Sequence, residues 1–471
     1  MDNMSGDVSV VARVRPQLDG EPGKAVVHTS GEGSISLIAR REVFGGKDCQ
    51  PRAEDKVHQF CFKRVHVYED NATVYHSSVA PIVASALAGG RGACFAYGYS
   101  GTGKTATIYG RTAEVQAESP EKDHDCWEGI AAIAAKDLLA EVATCGVDYV
   151  LRVSMCEVAG RECRDLLAGG SILKLRSLGD GKVYVRAEAG GPPCRKTVRD
   201  LTAFDEVLAA GIATRRVGKS TVHDASSRSH AVIEFDVVTN EIITLEQEIE
   251  SAEARVREEA NKRDDDLRER ARVAYSIHGH AAFAGTELGR EMEQLGAYHT
   301  SLSTVVDKLR TKLRDTTQAA AALVRGRLAF IDMAGNDWEK AADVQTNLSH
   351  SEQAAINTSL LAVKECLRAA ASMKHSQSSN GKQTSVKGRS IRIPYRNSVL
   401  THLLQRHFVP DAHLLMVATI TPSDDTRLVR QSINTLNYAK LVWSPSSPAA
   451  SHRQLNKEGH DGRKATEHQS S

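Results

Sequence analysis

A chain of 471 residues, 41% hydrophobic and 25% charged, can bury large cores, which excludes wholesale disorder and collagen-like repetition. Sixty basic residues against 59 acidic ones leave a net charge of +1, so global charge argues for no nucleic-acid or membrane partner, and any polyanion-binding surface must be local. Length alone suggests about three domains. Nine cysteines, an odd number without a CxxC pair, point to reduced cytosolic thiols in place of disulfides or structural zinc. The start, Met1 to Asp7, lacks a basic stretch followed by an apolar one, and no apolar run approaches the ~18 residues of a membrane span. A soluble intracellular protein is expected.

In chain order, Val8 to Arg15 reads as a strand stopped by Pro16, so folded structure is expected from about residue 8. Glycine- and charge-rich sequence follows from Leu18 to Lys56, with a weak strand at Ile35 to Ile38. Phe60-Cys61-Phe62 reads as another short strand, and a helical pattern runs from Ala72 to Leu87. Gly92 to Tyr97 is a buried-strand candidate that enters a glycine-rich turn and then a helix, an order that implies an α/β sheet. Further strands are expected at Ala231 to Val238 and at Leu328 to Asp332.

From Thr239 to about Arg325 the composition changes to Glu, Arg, Ala and Leu without proline. Apolar residues recur at Ile242, Leu245, Ile249, Ala252 and Val256, and again at Leu288, Met292, Leu295, Leu302, Val306, Leu309 and Leu313. The second series has the alternating three-and-four spacing of a helix-packing seam. With Gly279 and Gly285 between the two stretches, residues 239–325 are expected to form an inserted helical hairpin or coiled coil; a charged, solvated helix is the alternative. Residues 446–471, polar and nearly free of large apolar side chains, read as a disordered tail.

Gly98-Tyr99-Ser100-Gly101-Thr102-Gly103-Lys104-Thr105 satisfies GxxxxGK[ST] in the required strand-to-helix context. Its glycines let backbone N–H groups converge on phosphate oxygens, Lys104 can neutralise the β/γ-phosphates, and the Thr105 hydroxyl can ligate Mg²⁺. Asp332, at a strand end, is the candidate second Mg²⁺ group, and Gly335 could offer its N–H to the γ-phosphate. Ser226, Ser227 and Arg228 cluster hydroxyls and a cation before another strand. A nucleoside triphosphate site follows.

These residues resemble the kinesin motor domain over roughly residues 8 to 445, the helical insertion excepted. Arg13-Val14-Arg15-Pro16 is similar to the family's RxRP nucleotide-base segment, and Phe95 to Thr105, continuing to Ala106, to its FAYGQTGSGKT loop. Ser226-Ser227-Arg228-Ser229-His230 resembles the first switch, and Asp332-Met333-Ala334-Gly335-Asn336-Asp337 the second. Ile356-Asn357-Thr358-Ser359-Leu360 looks like the INKSL helix, Ile393 to Thr401 like the PYRxSKLT helix, and Ser432 to Ala439 like the closing helix. Leu361 to Ala369, Cys94 to Tyr97 and Gly335-Asn336 look most like the internal-motor, microtubule-depolymerising kinesins, though Gly46-Lys47-Asp48-Cys49 stands nearest to their Lys-Val-Asp tip.

The resemblance implies a P-loop NTPase fold, with a central mostly parallel sheet flanked by helices. The motor domain is then discontinuous, 1–238 and 326–445. It further implies a cytoplasmic, cytoskeletal ATPase using ATP and Mg²⁺, in which Ser226, Ser227 and Arg228 close over the γ-phosphate. Thr105 and Ser227 would ligate the metal, Asp332 would hold it through water, and Arg228 would pair with Asp337. Departures are Asp337 for glutamate, His223 for the switch asparagine, Tyr99 for the loop glutamine, and Ala106 where an adenine-stacking histidine is common. The implied partner is the microtubule, whose acidic tubulin calls for a basic face. In the track helix Val399 and His402 replace basic residues and leave Arg396. The preceding loop supplies Lys374, Lys382, Lys387, Arg389 and Arg392 without an acid. Neither nucleic acid nor membrane insertion is expected, and the insertion is open to a protein partner. A nucleotide-gated microtubule-binding scaffold with little turnover is the alternative reading.

Overall fold

The computed structural model describes residues 7–17, 27–43, 52–110, 128–144, 148–177, 183–188, 190–217, 228–255, 272–273, 287–319, 326–336, 347–378, 392–409 and 411–443. Its strands are β1 (Val8–Val14), β2 (Val27–Thr29), β3 (Ser34–Val43), β4 (Arg52–Cys61), β5 (Arg64–Val67), β6 (Arg91–Tyr97), β7 (Tyr149–Ala159), β8 (Glu162–Asp165), β9 (Ser171–Ser177), β10 (Val183–Ala187), β11 (Lys196–Val198), β12 (His230–Thr239), β13 (Arg327–Asp332) and β14 (His413–Ile420). Helices are α1 (Asn71–Val74), α2 (Ala80–Leu87), α3 (Lys104–Tyr109), α4 (Ile130–Thr144), α5 (Leu201–Val217), α6 (240–255), α7 (Glu287–Ala319), α8 (Asn347–Ser378), α9 (Val399–Leu403) and α10 (Thr426–Val442).

Eleven strands form one mixed sheet in the order β10-β9-β8-β7-β12-β13-β6-β14-β1-β5, with β11 against β7. From β13 to β5 every pairing is parallel. From β13 back to β10 every pairing is antiparallel. The expected parallel character therefore holds for the half that carries the P-loop. There β1 and, beyond Arg91, β6 are buried on both faces, as strands covered by helices on both sides must be, with Ser9 and Arg13 the polar residues of β1. One apolar layer under α8, α9 and α10 includes Phe95, Leu367, Leu400 and Leu436; the layer on the other face includes Tyr75, Ile108, Leu138 and Phe330.

Two local expectations change. The stretch from Ala72 to Leu87 is helical but not one α-helix: α1 passes through a π-turn at Tyr75–Val79 into α2. Pro81 supplies the reason, because it cannot donate to the carbonyl four residues back and its ring crowds that turn. The glycine- and charge-rich stretch also holds more sheet than its composition suggests, since β2, β3 and β4 make a separate antiparallel sheet. Only alternate residues such as Ile35, Leu37 and Phe60 enter the core, so the strand signal is diluted by charged outward neighbours.

Beyond β12, the described part of residues 239–325 is α6, residues 272–273 and α7. The expected stripe on α6 begins against the eleven-stranded sheet: Ile242 packs with Val150 and Val238, with Leu313 of α7 alongside. Arg152 and Arg195 reach Glu246 at 2.6 and 3.4 Å, and Glu253 accepts from Arg186 and Arg310 at 2.7 Å each. The tail 446–471 lies outside the described residues.

Candidate nucleotide site and track face

The parallel strands β6, β13, β14 and β1 end on one edge, and the phosphate loop occupies that edge. Gly101 and Gly103 have φ of +83° and +91°, the left-handed backbone that turns amides toward a common point. Gly98 is required sterically, since a Cβ there would lie 2.4 Å from the Thr419 carbonyl oxygen. Thr102 Oγ1 lies 2.7 Å from Thr419 Oγ1 and donates to the Tyr99 carbonyl, fixing the loop to β14. Lys104 is buried and donates to the Tyr99 carbonyl at 2.8 Å, across the loop.

The Thr105 hydroxyl donates to Asp332 Oδ2 at 2.9 Å, and Arg215 of α5 donates to the same oxygen at 2.8 Å. Asp332 is buried, and its Oδ1 has no hydrogen-bond partner among the described residues. A buried carboxylate oxygen without a donor beside a threonine hydroxyl fits a hydrated divalent cation, with Thr105 as direct ligand and Asp332 as acceptor from a metal-bound water. Arg215 was not singled out in the sequence, where it sits in an ordinary amphipathic helix. Its ion pairs with Asp332 and, at 3.6 Å, with Glu157 make it part of the site's electrostatics.

His230 is the second residue that motif reading left without a role. The Ala334 N–H donates to its Nδ1 at 3.0 Å, so Nε2 carries the proton and donates to Ser359 Oγ at 2.6 Å. Ser359 in turn donates to the Ile356 carbonyl. Burial, reinforced by Arg215 and Lys104, pushes His230 down to about 3, so the neutral tautomer is fixed at neutral pH. One imidazole thus joins the strand after the first switch, the backbone after Asp332, and helix α8. Gly335 is buried beside it, and Asn336 donates to the Tyr97 hydroxyl at 2.8 Å.

Other expected site residues are placed differently from one another. Arg15 lies on the opposite flank of the loop and donates to the Gly101 carbonyl at 2.7 Å, followed by exposed Pro16. Arg13 turns inward: its buried guanidinium donates to Asn71 Oδ1 and Thr107 Oγ1 at 2.6 Å each, and to the Glu69 carbonyl. Tyr99 is buried, with its hydroxyl against Thr421 and Ser432, so it ties the loop to α10. Ser100 and Ala106 are half-buried on the loop and on the first turn of α3. Arg228 is exposed and pairs with Glu352 of α8 at 3.1 Å. Ser226, Ser227, His223 and Asp337 lie outside the described residues.

On the prospective track face, Arg392 and Arg396 are exposed, with Arg396 5.9 Å over the Tyr395 ring. Ser398 and Thr401 form a capping box that sets α9 at this corner. His402 is half-buried and shares a 2.8 Å hydrogen bond with Ser177; burial and then Arg396 lower its proton affinity, so it adds no charge at neutral pH. Lys374 belongs to α8, which continues to Ser378, and not to the loop in which the sequence placed it: Ala369, Ala370, Ala371 and Met373 favour helix and no glycine or proline intervenes. Lys382, Lys387 and Arg389 lie outside the described residues.

A phosphate loop between a buried parallel strand and a helix, with the carboxylate of the neighbouring strand on its hydroxyl, defines a P-loop NTPase fold. The kinesin motor domain profile matches residues 13–257 and 289–444, and the chain belongs to that family. It is similar to kinesin-like protein KIN-13A of Oryza sativa subsp. japonica, with 25% identity over 395 residues that cover 83% of this chain and 35% of the relative. Kinesin-like protein KIN-13B of Arabidopsis thaliana is 25% identical over 401 residues, 84% of this chain and 42% of the relative. Diatom spindle kinesin-1 of Cylindrotheca fusiformis is 26% identical over 387 residues, 81% and 42%. The chain thus spans about two fifths or less of the length of these relatives. Among solved structures, that of a fast kinesin aligns with a TM-score of 0.59 at 20% identity, covering 96% of this chain and 98% of that one, a likeness of fold. No helix among the described residues is long and apolar enough to cross a membrane.

Proposed function

We propose that this chain is a cytoskeletal motor head that binds Mg-ATP, hydrolyses it, and couples the change to microtubules by movement or by end depolymerisation. The observation that carries the reading is Asp332, buried between Thr105 and Arg215 with one oxygen left for a ligand. Bound Mg²⁺ would neutralise charge on the β- and γ-phosphates. Lys104 and the loop amides hold the phosphates, while Thr105 and Asp332 orient the metal shell. Ser226, Ser227 and Arg228 are assigned to closing over the γ-phosphate, with Ser227 as a further metal ligand, Gly335 as its sensor, and Arg13, Arg15 and Pro16 as the base-side segment.

His230 offers a path from this site to the track face, because its two hydrogen bonds end on the backbone after Asp332 and on α8. Arg392 and Arg396, with Lys374, Lys382, Lys387 and Arg389, are assigned to acidic tubulin. Residues 239–325 are assigned as an appended arm, open to a protein partner, interrupting a motor domain of 1–238 and 326–445. Single-turnover hydrolysis with and without microtubules tests the reading, and a folded protein that binds ATP but releases no phosphate sinks it. A slow, nucleotide-gated microtubule-binding head is the second reading, favoured by the Arg228–Glu352 pair, which engages the switch arginine with an acid of α8. Rescue of turnover by Asp337→Glu would support that reading.

A further inference from the structure

The turn that leaves β5 holds a strained residue. Tyr68 has φ of 61° and is the one non-glycine residue among those described in the left-handed region, where Cβ crowds the following carbonyl. It is 46% exposed, so little core packing offsets the strain. An aromatic side chain kept in a conformation that suits glycine or asparagine, and kept in water, is an outlier that calls for a function.

Its position suggests which. The Tyr68 N–H donates to the Val14 carbonyl at 3.0 Å, immediately before Arg15 and Pro16. On the other side of the same turn, Arg13 holds the Glu69 carbonyl, and the Asn71 side-chain amide donates to the Ala106 carbonyl at 2.9 Å. The turn is therefore fastened both to the end of β1 and to the first turn of the P-loop helix. Asp332 and Arg215 occupy the Thr105 side of the loop, the side that takes cation and terminal phosphate. A nucleotide with its phosphates on the loop amides must extend its ribose and base toward the other flank, where Arg15 holds Gly101. On that flank Pro16 offers a small saturated ring and Ala106 a methyl group, neither of them an aromatic face.

We infer that Tyr68 is a base-recognition residue of this site, its ring providing the surface on which the nucleobase stacks, and that its left-handed backbone is the cost of presenting the ring there. The inference rests on the nucleotide-site reading above. Stacking on an aromatic face tolerates any base, so this contact strengthens nucleotide binding without selecting adenine over guanine.

The test compares ATP with inorganic tripolyphosphate, which has the phosphates and no base, in calorimetric titrations of the full chain. Tyr68→Gly removes the strain and should raise the melting temperature, yet weaken ATP binding roughly 10-fold, within the range that stacking of one base supplies, while leaving tripolyphosphate affinity unchanged. Tyr68→Phe should keep the ATP affinity, and GTP should lose as much as ATP in the glycine variant. A more stable glycine variant with undiminished ATP affinity overturns the inference and leaves the nucleotide site standing. A wild-type chain that binds neither ligand overturns both.

Discussion

Two groups of buried ion pairs, one at the end of β13 and one on β12, are built differently. At the nucleotide edge, Asp332 faces Thr105 and Arg215 and keeps Oδ1 without a partner among the described residues. Farther along the sheet, Glu234 is enclosed by Arg406 through both carboxylate oxygens and by His407 at 2.8 Å. Burial opposes ionisation of Glu234, but Arg406 and His407 outweigh it and hold the carboxyl at about 2. One carboxylate keeps an oxygen without a partner among the described residues, and the other has both oxygens paired, although His407 Nδ1 beside it is also left without one. The lesson is that a buried carboxylate marks a binding site by what it leaves unsatisfied, and charge by itself does not discriminate.

Charge removal on each side should separate the two. Asp332→Asn keeps the shape and removes the negative charge, while Arg215 keeps its ion pair with Glu157 and its hydrogen bond to the Ser229 carbonyl. Single-turnover hydrolysis should fall by about 100-fold or more, with a smaller loss of stability. Glu234→Gln should do the reverse, because it removes the charge that Arg406, 28% exposed, and the buried His407 both face. A loss of about 3 kcal/mol or more in denaturant unfolding is expected, with ATP affinity of the folded fraction unchanged. If Glu234→Gln instead abolished hydrolysis at unaltered stability, the contrast between the clusters would fail.

A titration sharpens the same comparison. His230 and His407 are both held neutral by burial. In the unfolded chain a histidine takes up a proton below about 6.5, whereas native His230 does not until about 3. The unfolded state binds more protons throughout that window, so stability is full above it and declines as pH falls. Between pH 6.5 and 5 each such group should remove about 1.4 kcal/mol per pH unit at most. Carboxylates with depressed values contribute little there, whereas Asp165 and Asp205, raised by burial, act in the opposite sense as the pH falls. The fall in denaturant midpoint from pH 7 to pH 5 should be smaller in His407→Gln than in the wild type, and an equal fall in both would contradict the neutral assignment of His407.

What could be read from the sequence follows from how local each cause is. The P-loop is a run of neighbours whose glycines act together, so Gly98 to Thr105 disclosed their loop conformation between strand and helix. Asp332 was legible because a strand-end acid after a buried run is also a local pattern. Arg215 and Glu157 were not, since their roles exist only once α5 and β7 are brought beside Asp332. The same holds for His230, whose motif neighbours were recognised while its bonds to Ala334 and Ser359 depend on packing. Tyr68 was invisible for another reason: the strain is in its backbone, and its neighbours contain no glycine that would announce a left-handed turn. The charged strands β3 and β4 were underestimated because only one face enters the core.

The smallest expected effect concerns the arm. Glu253 of α6 accepts from Arg186 of the motor sheet and Arg310 of α7, whose side chains are 41% and 54% exposed. Water and salt screen such pairs, so Glu253→Gln should lower global stability by about 0.5–1 kcal/mol at most. The consequence should be local, because Ile242 and Leu245 remain buried at the base of α6 while the clamp farther along is lost. Amide exchange in 240–255 should accelerate toward residue 255 and stay slow near Ile242, and basal hydrolysis should not change. If hydrolysis fell with exchange, the arm would be coupled to the nucleotide edge. The route would run through β7, where Arg152 holds Glu246 at one end and Glu157 holds Arg215 at the other.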